Sequence, residues 1–291
     1  DVVGECHADS AFTDSRVQFT SKQSLASVTL TAHETDKHDG TANSGVVIRP
    51  TAYAGGSRGI IEMNFDNLIV EWLELEFGDT ATTGGGTNTN KGIYLLGTND
   101  DNIIRNNIIH SRTGSPTTYP VFAMHVSGSS SASSDTLSIL NNIVYDFRET
   151  SDDTASGINM SSWRGTLNIY NNTVHNIESE NSGSTKAATC FKFNGHANQV
   201  ANVKNNIASL ITASTAAEHR AYWDPGTGTS NVDYNLSDDT TNSTYEAQGA
   251  NSLKDKTAAQ IDFVNTVVGS EDLALNTDSV CREAGVDLGT A

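Results

Sequence analysis

The sequence predicts an all-β chain wound as a single-stranded parallel β-solenoid, and three observations carry that reading. One stretch, Leu137-Ser138-Ile139-Leu140-Asn141-Asn142-Ile143-Val144-Tyr145-Asp146-Phe147, has close copies at residues 102–110, 167–175 and 201–208 and a weaker copy at 231–236. The copies are periodic. The second Asn of each pair falls at 107, 142, 172, 206 and 235, intervals of 35, 30, 34 and 29 residues, which is the range of solenoids and arrays. A third strand precedes each pair, at residues 92–96, 121–126, 157–160 and 190–193, so each turn holds three strands.

Within a rung the apolar residues alternate with polar ones, as in Leu167-Asn168-Ile169 and Asn202-Val203-Lys204, the period of a half-buried strand. The Asn pair marks the bend between two strands. Asn adopts left-handed backbone more cheaply than most residues, and its amide both donates and accepts. Stacked once per turn, such amides satisfy one another inside the coil. At Tyr234-Asn235 only the second Asn of the pair survives, so Asn107, Asn142, Asn172, Asn206 and Asn235 are the expected internal ladder. In the preceding copy, residues 66–73, the aligned position is read as Trp72, where the ladder stops.

The chain opens with three short strands at residues 2–6, 16–19 and 27–32, beginning in mid-coil. Residues 46–49, 59–63 and 68–77 complete the second coil, and Gly55-Gly56 marks a turn. Residues 80–90, a Gly/Thr stretch without an apolar anchor, and 127–135, rich in Ser, read as exposed loops, as do 111–119, 149–155, 178–186 and 214–219. After Asp239 the rhythm breaks. A short helix near residues 257–263 starting at Thr257 is expected there, followed by two short strands. The resulting organisation is one domain, with coils over residues 1–239 and a closing cap over 240–291 that covers the strand edges of the last coil.

The Asn-Asn-Ile rungs resemble the right-handed parallel β-helix of the pectate-lyase-like superfamily, in which an asparagine ladder fills one bend of each coil. Val3-Gly4-Glu5-Cys6-His7-Ala8-Asp9-Ser10 and Lys37-His38-Asp39-Gly40 resemble the opening coils of β-helix-repeat proteins of environmental bacteria and phages. Residues 262–275 and 278–289 resemble their closing segment. The resemblance implies a right-handed coil, about seven turns in all. At the parallel-strand spacing seven turns make a body roughly 35 Å long. It implies no single activity, because this fold hosts lyases, hydrolases, tailspikes and inert fibres.

Composition narrows the partners. A net charge of -18 with 17 Lys plus Arg argues against nucleic acid. It also counts against a polyanionic glycan unless calcium or a local basic cluster intervenes. No apolar run reaches membrane-spanning length, so no membrane insertion is expected, and residues 1–30 carry no signal-peptide pattern. The chain begins at Asp1 without an initiator Met, and is therefore read as processed or as a fragment. Its Ser-, Thr-, Asn- and Gly-rich turns suit an extracellular, cell-surface or virion protein. The three cysteines have no metal-ligand spacing. Cys190 reads as a packed core residue. Cys6 and Cys281 lie in the first and last coils, too far apart to pair within one chain, and read either as separate thiols or as contacts between stacked subunits.

The candidate chemistry is sparse. The pairs Asp100-Asp101, Asp152-Asp153 and Asp238-Asp239 read as turn residues bonding their own backbone, with Ca2+ as the alternative and no other cofactor expected. In lyases of the resembling superfamily an Arg or Lys abstracts a proton beside calcium-binding acids, and in its hydrolases two or three Asp act together. No such set converges here. The outward stripe of the third strand, Tyr94, His125, Asn159, Lys192 and Trp223, with Trp163, Arg164 and His196 nearby, is the candidate glycan-contact surface, since aromatic rings beside polar groups stack on sugars. His110 and His175 are expected as solvated surface, and His38 as a turn-stabilising residue. Of four N-x-Ser/Thr sequons, Asn242 is the candidate glycosylation site. The leading functional expectation is a structural fibre subunit that self-associates end to end and contacts glycans. A polysaccharide lyase or tailspike-type depolymerase is the alternative, and a non-catalytic glycan-binding module the third reading.

Overall fold

The computed structural model describes residues 1–13, 16–20, 24–50, 58–77, 90–96, 101–111, 120–127, 134–150, 154–160, 162–180, 187–193, 195–213, 219–239 and 249–288. The chain winds through three parallel sheets in rotation, forming a parallel β-solenoid with almost no helix. The first sheet stacks eight strands, from Val2–Cys6 through Asn102–Arg105, Thr136–Leu140, Gly165–Tyr170 and Gln199–Lys204 to Thr229–Asp233. The second stacks seven, Val46–Ile48, Leu73–Phe77, Ile108–Ser111, Ile143–Glu149, Thr173–Ser179, Ile207–Ala213 and Leu236–Ser237. The third also stacks seven, Val17–Phe19, Arg58–Met63, Asn90–Leu96, Val121–Ser127, Ala155–Asn159, Ala188–Lys192 and His219–Trp223. Each rung therefore supplies one strand to each sheet, as the sequence period requires.

Stacking in register puts like on like. Leu137, Leu167 and Ala201 pair in one inward column of the first sheet, and Ile139, Ile169 and Val203 in the next. All six are fully buried. Inside, Phe77 meets Phe147 edge-on with centroids 5.1 Å apart, and Phe191 stacks on Tyr222 at 5.0 Å.

The Asn pair divides its two roles cleanly. Asn106, Asn141, Asn171 and Asn205, the first of each pair, hold φ between 54° and 57°, the left-handed conformation that turns the corner. The second Asn forms the ladder. The side-chain nitrogens of Asn107, Asn142, Asn172 and Asn206 each donate to the side-chain oxygen of the next ladder Asn at 3.0 Å, and that oxygen also accepts their backbone N–H. The column ends on Asn235, whose backbone N–H donates to Ser252 Oγ at 3.1 Å. At the other end the alignment of Trp72 with the ladder is corrected by one position. Ile108 pairs with Glu74, so Leu73 occupies the ladder position and Trp72, at φ 59°, the left-handed one. The Leu73 N–H donates to Asn107 Oδ1 at 3.2 Å. A left-handed Trp is tolerated because its ring lies against His38 at 5.6 Å and beneath Lys37 Nζ at 5.1 Å.

The C-terminal segment does more than close an end. Leu253 bridges to Leu236, its N–H bonding Asn235 O at 2.7 Å, so residues 249–256 cover the last turn. The one-turn helix Ala258–Ile261 follows Thr257, whose N–H is accepted by Gln260 Oε1 at 2.9 Å. The chain then returns along the outer face of the second sheet as the antiparallel pair Phe263–Asn265 and Asp272–Leu275. Leu273 and Phe263 pack with Ile108, Ile143 and Tyr145 as a second, small core. This strap overturns the expectation for His110 and His175: both point away from the coil, yet only 6% and 5% of their surface reaches solvent.

Candidate functional site

The third sheet carries the side chains singled out from sequence. Its strands pair so that Glu62, Tyr94, His125, Asn159, Lys192 and Trp223 stand in one column, one per coil. Strict alternation predicts the residue three positions earlier to be inward. It is not, because each strand buries two consecutive residues: Gly92 with Ile93, Ala123 with Met124, Gly157 with Ile158, Cys190 with Phe191, and Ala221 with Tyr222. The small residue of each couple leaves room for this irregularity. A Cβ on Gly157 would lie 2.6 Å from Val174 Cγ1, and one on Gly92 2.5 Å from Ala123 O.

A second outward column results, Lys91, Phe122, Ser156, Thr189 and Arg220, packed beside the first. Lys91 Nζ lies 4.1 Å from the centre of the Tyr94 ring. Phe122 stacks on His125 at 4.5 Å, and Tyr94 on His125 at 5.9 Å. Two cations lie over the Trp223 ring, Lys192 Nζ at 3.9 Å and Arg220 at 4.2 Å. Glu62, fully buried, pairs with Arg16 at 3.2 Å. Sequence reasoning missed the second column. The signal that reveals it is the repeated couple of a small residue followed by a large apolar one, which shifts alternation by one.

Burial and crowding of like charges set the protonation of this face. Burial pushes Lys91 down to about 8, with Glu62 pulling it the other way. Burial also lowers Lys192, helped by the neighbouring Arg220. His125 is driven down to about 3 by burial and then by the charges of Lys91 and Lys192, so its ring is neutral. His125 Nδ1 and Trp223 Nε1 are buried without a hydrogen-bond partner. Lys91, Asn159, Tyr94 and Phe122 are buried, at 2%, 5%, 6% and 8% exposed, so the half-buried part of this face is His125, Lys192, Arg220 and Trp223.

The other sequence candidates fall elsewhere. Trp163 has no exposed surface and donates through Nε1 to Thr166 O at 3.2 Å, which removes it from the contact surface. Its large apolar ring fills the corner between the third and first sheets. Arg164 and His196 are half-buried at that same corner, and His196 accepts from Asn198 N–H at 3.4 Å. His38 is 7% exposed, with Nε2 2.8 Å from Asn106 O, consistent with a structural role. Cys190 is buried, whereas Cys6 and Cys281 are half-buried free thiols whose ionisation burial pushes up. Of the Asp pairs, Asp238 accepts from Leu210 N–H at 2.7 Å and Asp239 from Ala221 N–H at 3.3 Å. Asp100, Asp152, Asp153 and Asn242 lie outside the described residues. No helix is long and apolar enough to cross a membrane among the described residues.

Searches against protein-family models, curated proteins and solved structures returned no match. What the fold and this face define is a class: a parallel β-solenoid with an internal asparagine ladder and an aromatic and cationic stripe along one sheet.

Proposed function

We propose that the protein is an extracellular, cell-surface or virion β-solenoid that binds a carbohydrate chain lengthwise along the third sheet, and prefers an acidic one. The observation that carries this reading is the pair of in-register columns, in which the half-buried Trp223 ring stands beside the half-buried cations Lys192 and Arg220. Stacking recognises the apolar face of a sugar ring, and the cations recognise carboxylate or sulfate groups. The columns rise by one strand spacing, about 4.8 Å, per coil, so Tyr94 and Trp223 stand four coils, about 19 Å, apart along a lengthwise chain. The basic cluster also answers the objection raised by the net charge of -18. Kinship with the pectate-lyase-like β-helices is part of this proposal, supported by the ladder filling one bend of each coil.

The test is calorimetric titration with uronate-containing and neutral polysaccharides, followed in parallel by tryptophan fluorescence. Acidic chains are expected to bind and to perturb Trp223, and Trp223→Ala and Lys192→Ala each to weaken binding about 10-fold or more. Equal affinity for neutral chains, or unchanged affinity in both variants, removes the reading. The same samples are assayed for new reducing ends and unsaturated uronates, since a buried amine near 8 such as Lys91 is chemically able to take up a proton.

End-to-end assembly into a fibre is a second reading. It is supported by Val2 and Val3, 45% and 57% exposed on the outermost described strand of the first sheet. Electron microscopy decides it: filaments with an axial repeat near one solenoid length support it, and discrete particles at all concentrations remove it.

A further inference from the structure

Beneath the C-terminal strap, the outer face of the second sheet holds a polar cluster that takes no part in the glycan-binding face. Glu74, Glu76 and His110 come from paired strands of adjacent coils and are 0%, 2% and 6% exposed. One ligand-capable atom from each lies within 4.8 Å of the others. Glu76 and His110 line a cavity of about 230 Å³ together with Tyr145, Asp146 and Glu271. Of the carboxyl groups here, Glu76 pairs with Arg49 and Glu74 with His110, while Asp146 accepts from Asn176 Nδ2 at 2.6 Å and lies beside Glu271. Buried charge on this scale is ordinarily paired or bound to a metal.

A further observation points to a ligand. The Tyr145 hydroxyl, on a residue 98% buried (2% exposed), lines the cavity and has no hydrogen-bond partner. His110 Nε2 stands 2.8 Å from Glu74 Oε1, and its Nδ1 3.3 Å from Ser111 O. Glu74 is itself anchored by its other oxygen, which accepts from Asn43 N–H at 2.6 Å.

We infer that Glu74, Glu76 and His110 form a binding site for a divalent transition-metal ion such as Zn2+ or Mn2+, with the Tyr145 hydroxyl facing the remaining coordination position. One imidazole and two carboxylates suit such ions better than calcium, which takes oxygen ligands throughout. The strap contributes Glu271 to the cavity wall, so the ion joins the C-terminal segment to the coils.

The experiment uses the full chain, stripped with chelator and titrated with Co2+ as an optical probe and with Zn2+ by calorimetry. One equivalent is expected to bind, with cobalt ligand-field bands and a raised melting temperature. His110→Gln and Glu74→Gln are expected to weaken it more than about 100-fold, beyond the 10- to 100-fold typical of outer partners. The trio His7, His33 and Asp36, of which His7 is exposed and the other two half-buried, is the competing cluster. A His7→Ala/His33→Ala double variant is therefore expected to retain the site, and its loss there overturns the inference. Absence of Co2+ bands and of Zn2+ heat in the wild type overturns it whatever the folding of the variants. Since the cluster and the glycan face occupy different sheets, failure here leaves the glycan reading untouched.

Discussion

At the scale of single residues, the ladder shows how a polar atom becomes part of a core. Asn172 donates to Ile139 O, Tyr170 O and Asn206 Oδ1, and its own oxygen accepts from Asn142. Asn172→Ala strips several buried groups of partners at once, and is expected to cost about 3 to 5 kcal/mol in urea unfolding. Asn168, in a part-buried outer column with Asn202 and Asn231, is the control. Asn168→Ala is expected to cost about 0.5 kcal/mol, because water replaces the lost bonds. A loss at Asn172 no larger than at Asn168 contradicts the role assigned to the ladder. The internal column was legible in the sequence because the weak copy at Tyr234-Asn235 separates the two positions of the pair. The one-residue error at Trp72 arose because neither Trp72 nor Leu73 is Asn, so the copy offers no polar marker of which residue turns the corner.

At the scale of the strand, the third sheet was half legible. The column from Tyr94 to Trp223, read as an outward stripe, is in register in the structure, but Tyr94 and Asn159 in it are buried, at 6% and 5% exposed. The column from Lys91 to Arg220 did not follow, since period-2 reasoning has no place for two adjacent inward residues. The couples need a small first member, which gives a test. Gly157→Ala places a methyl group 2.6 Å from Val174 Cγ1 and 2.8 Å from Cys190 O. It is expected to cost about 1 to 3 kcal/mol in denaturant unfolding and to disturb Asn159 and its column. Retained stability would mean that the strand irregularity is soft. The strap over the second sheet was illegible for a different reason. Local pattern shows that residues 258–288 form short elements, but the face they cover is set by contacts far apart in sequence, such as Asn205 with Val286, whose paired bonds are 2.8 and 2.9 Å.

At the scale of the molecule, two buried histidine rings give stability a defined acid limb. His125 and His175 are held down to about 3 and about 4, chiefly by burial. An unfolded histidine titrates near 6.5. Between these values the unfolded chain carries protons that the folded chain lacks, so folding gains as pH rises. Their contribution is complete above about 6.5 and is lost as pH falls through about 4 and then 3. Asp238, raised to about 6 by burial, acts in the opposite sense. A His125→Gln/His175→Gln variant is therefore expected to show a shallower fall in melting temperature between pH 6.5 and pH 4 than the wild type, and an unchanged slope would contradict the burial of these rings. The ladder has a consequence on the same scale. Every amide in it points the same way, nitrogen toward the later coil and oxygen toward the earlier one. Their dipoles add along the axis and polarise one another. A β-solenoid, whose backbone bonds run between coils, thus acquires an electrical polarity of its own, positive toward Ser252 and negative toward Leu73.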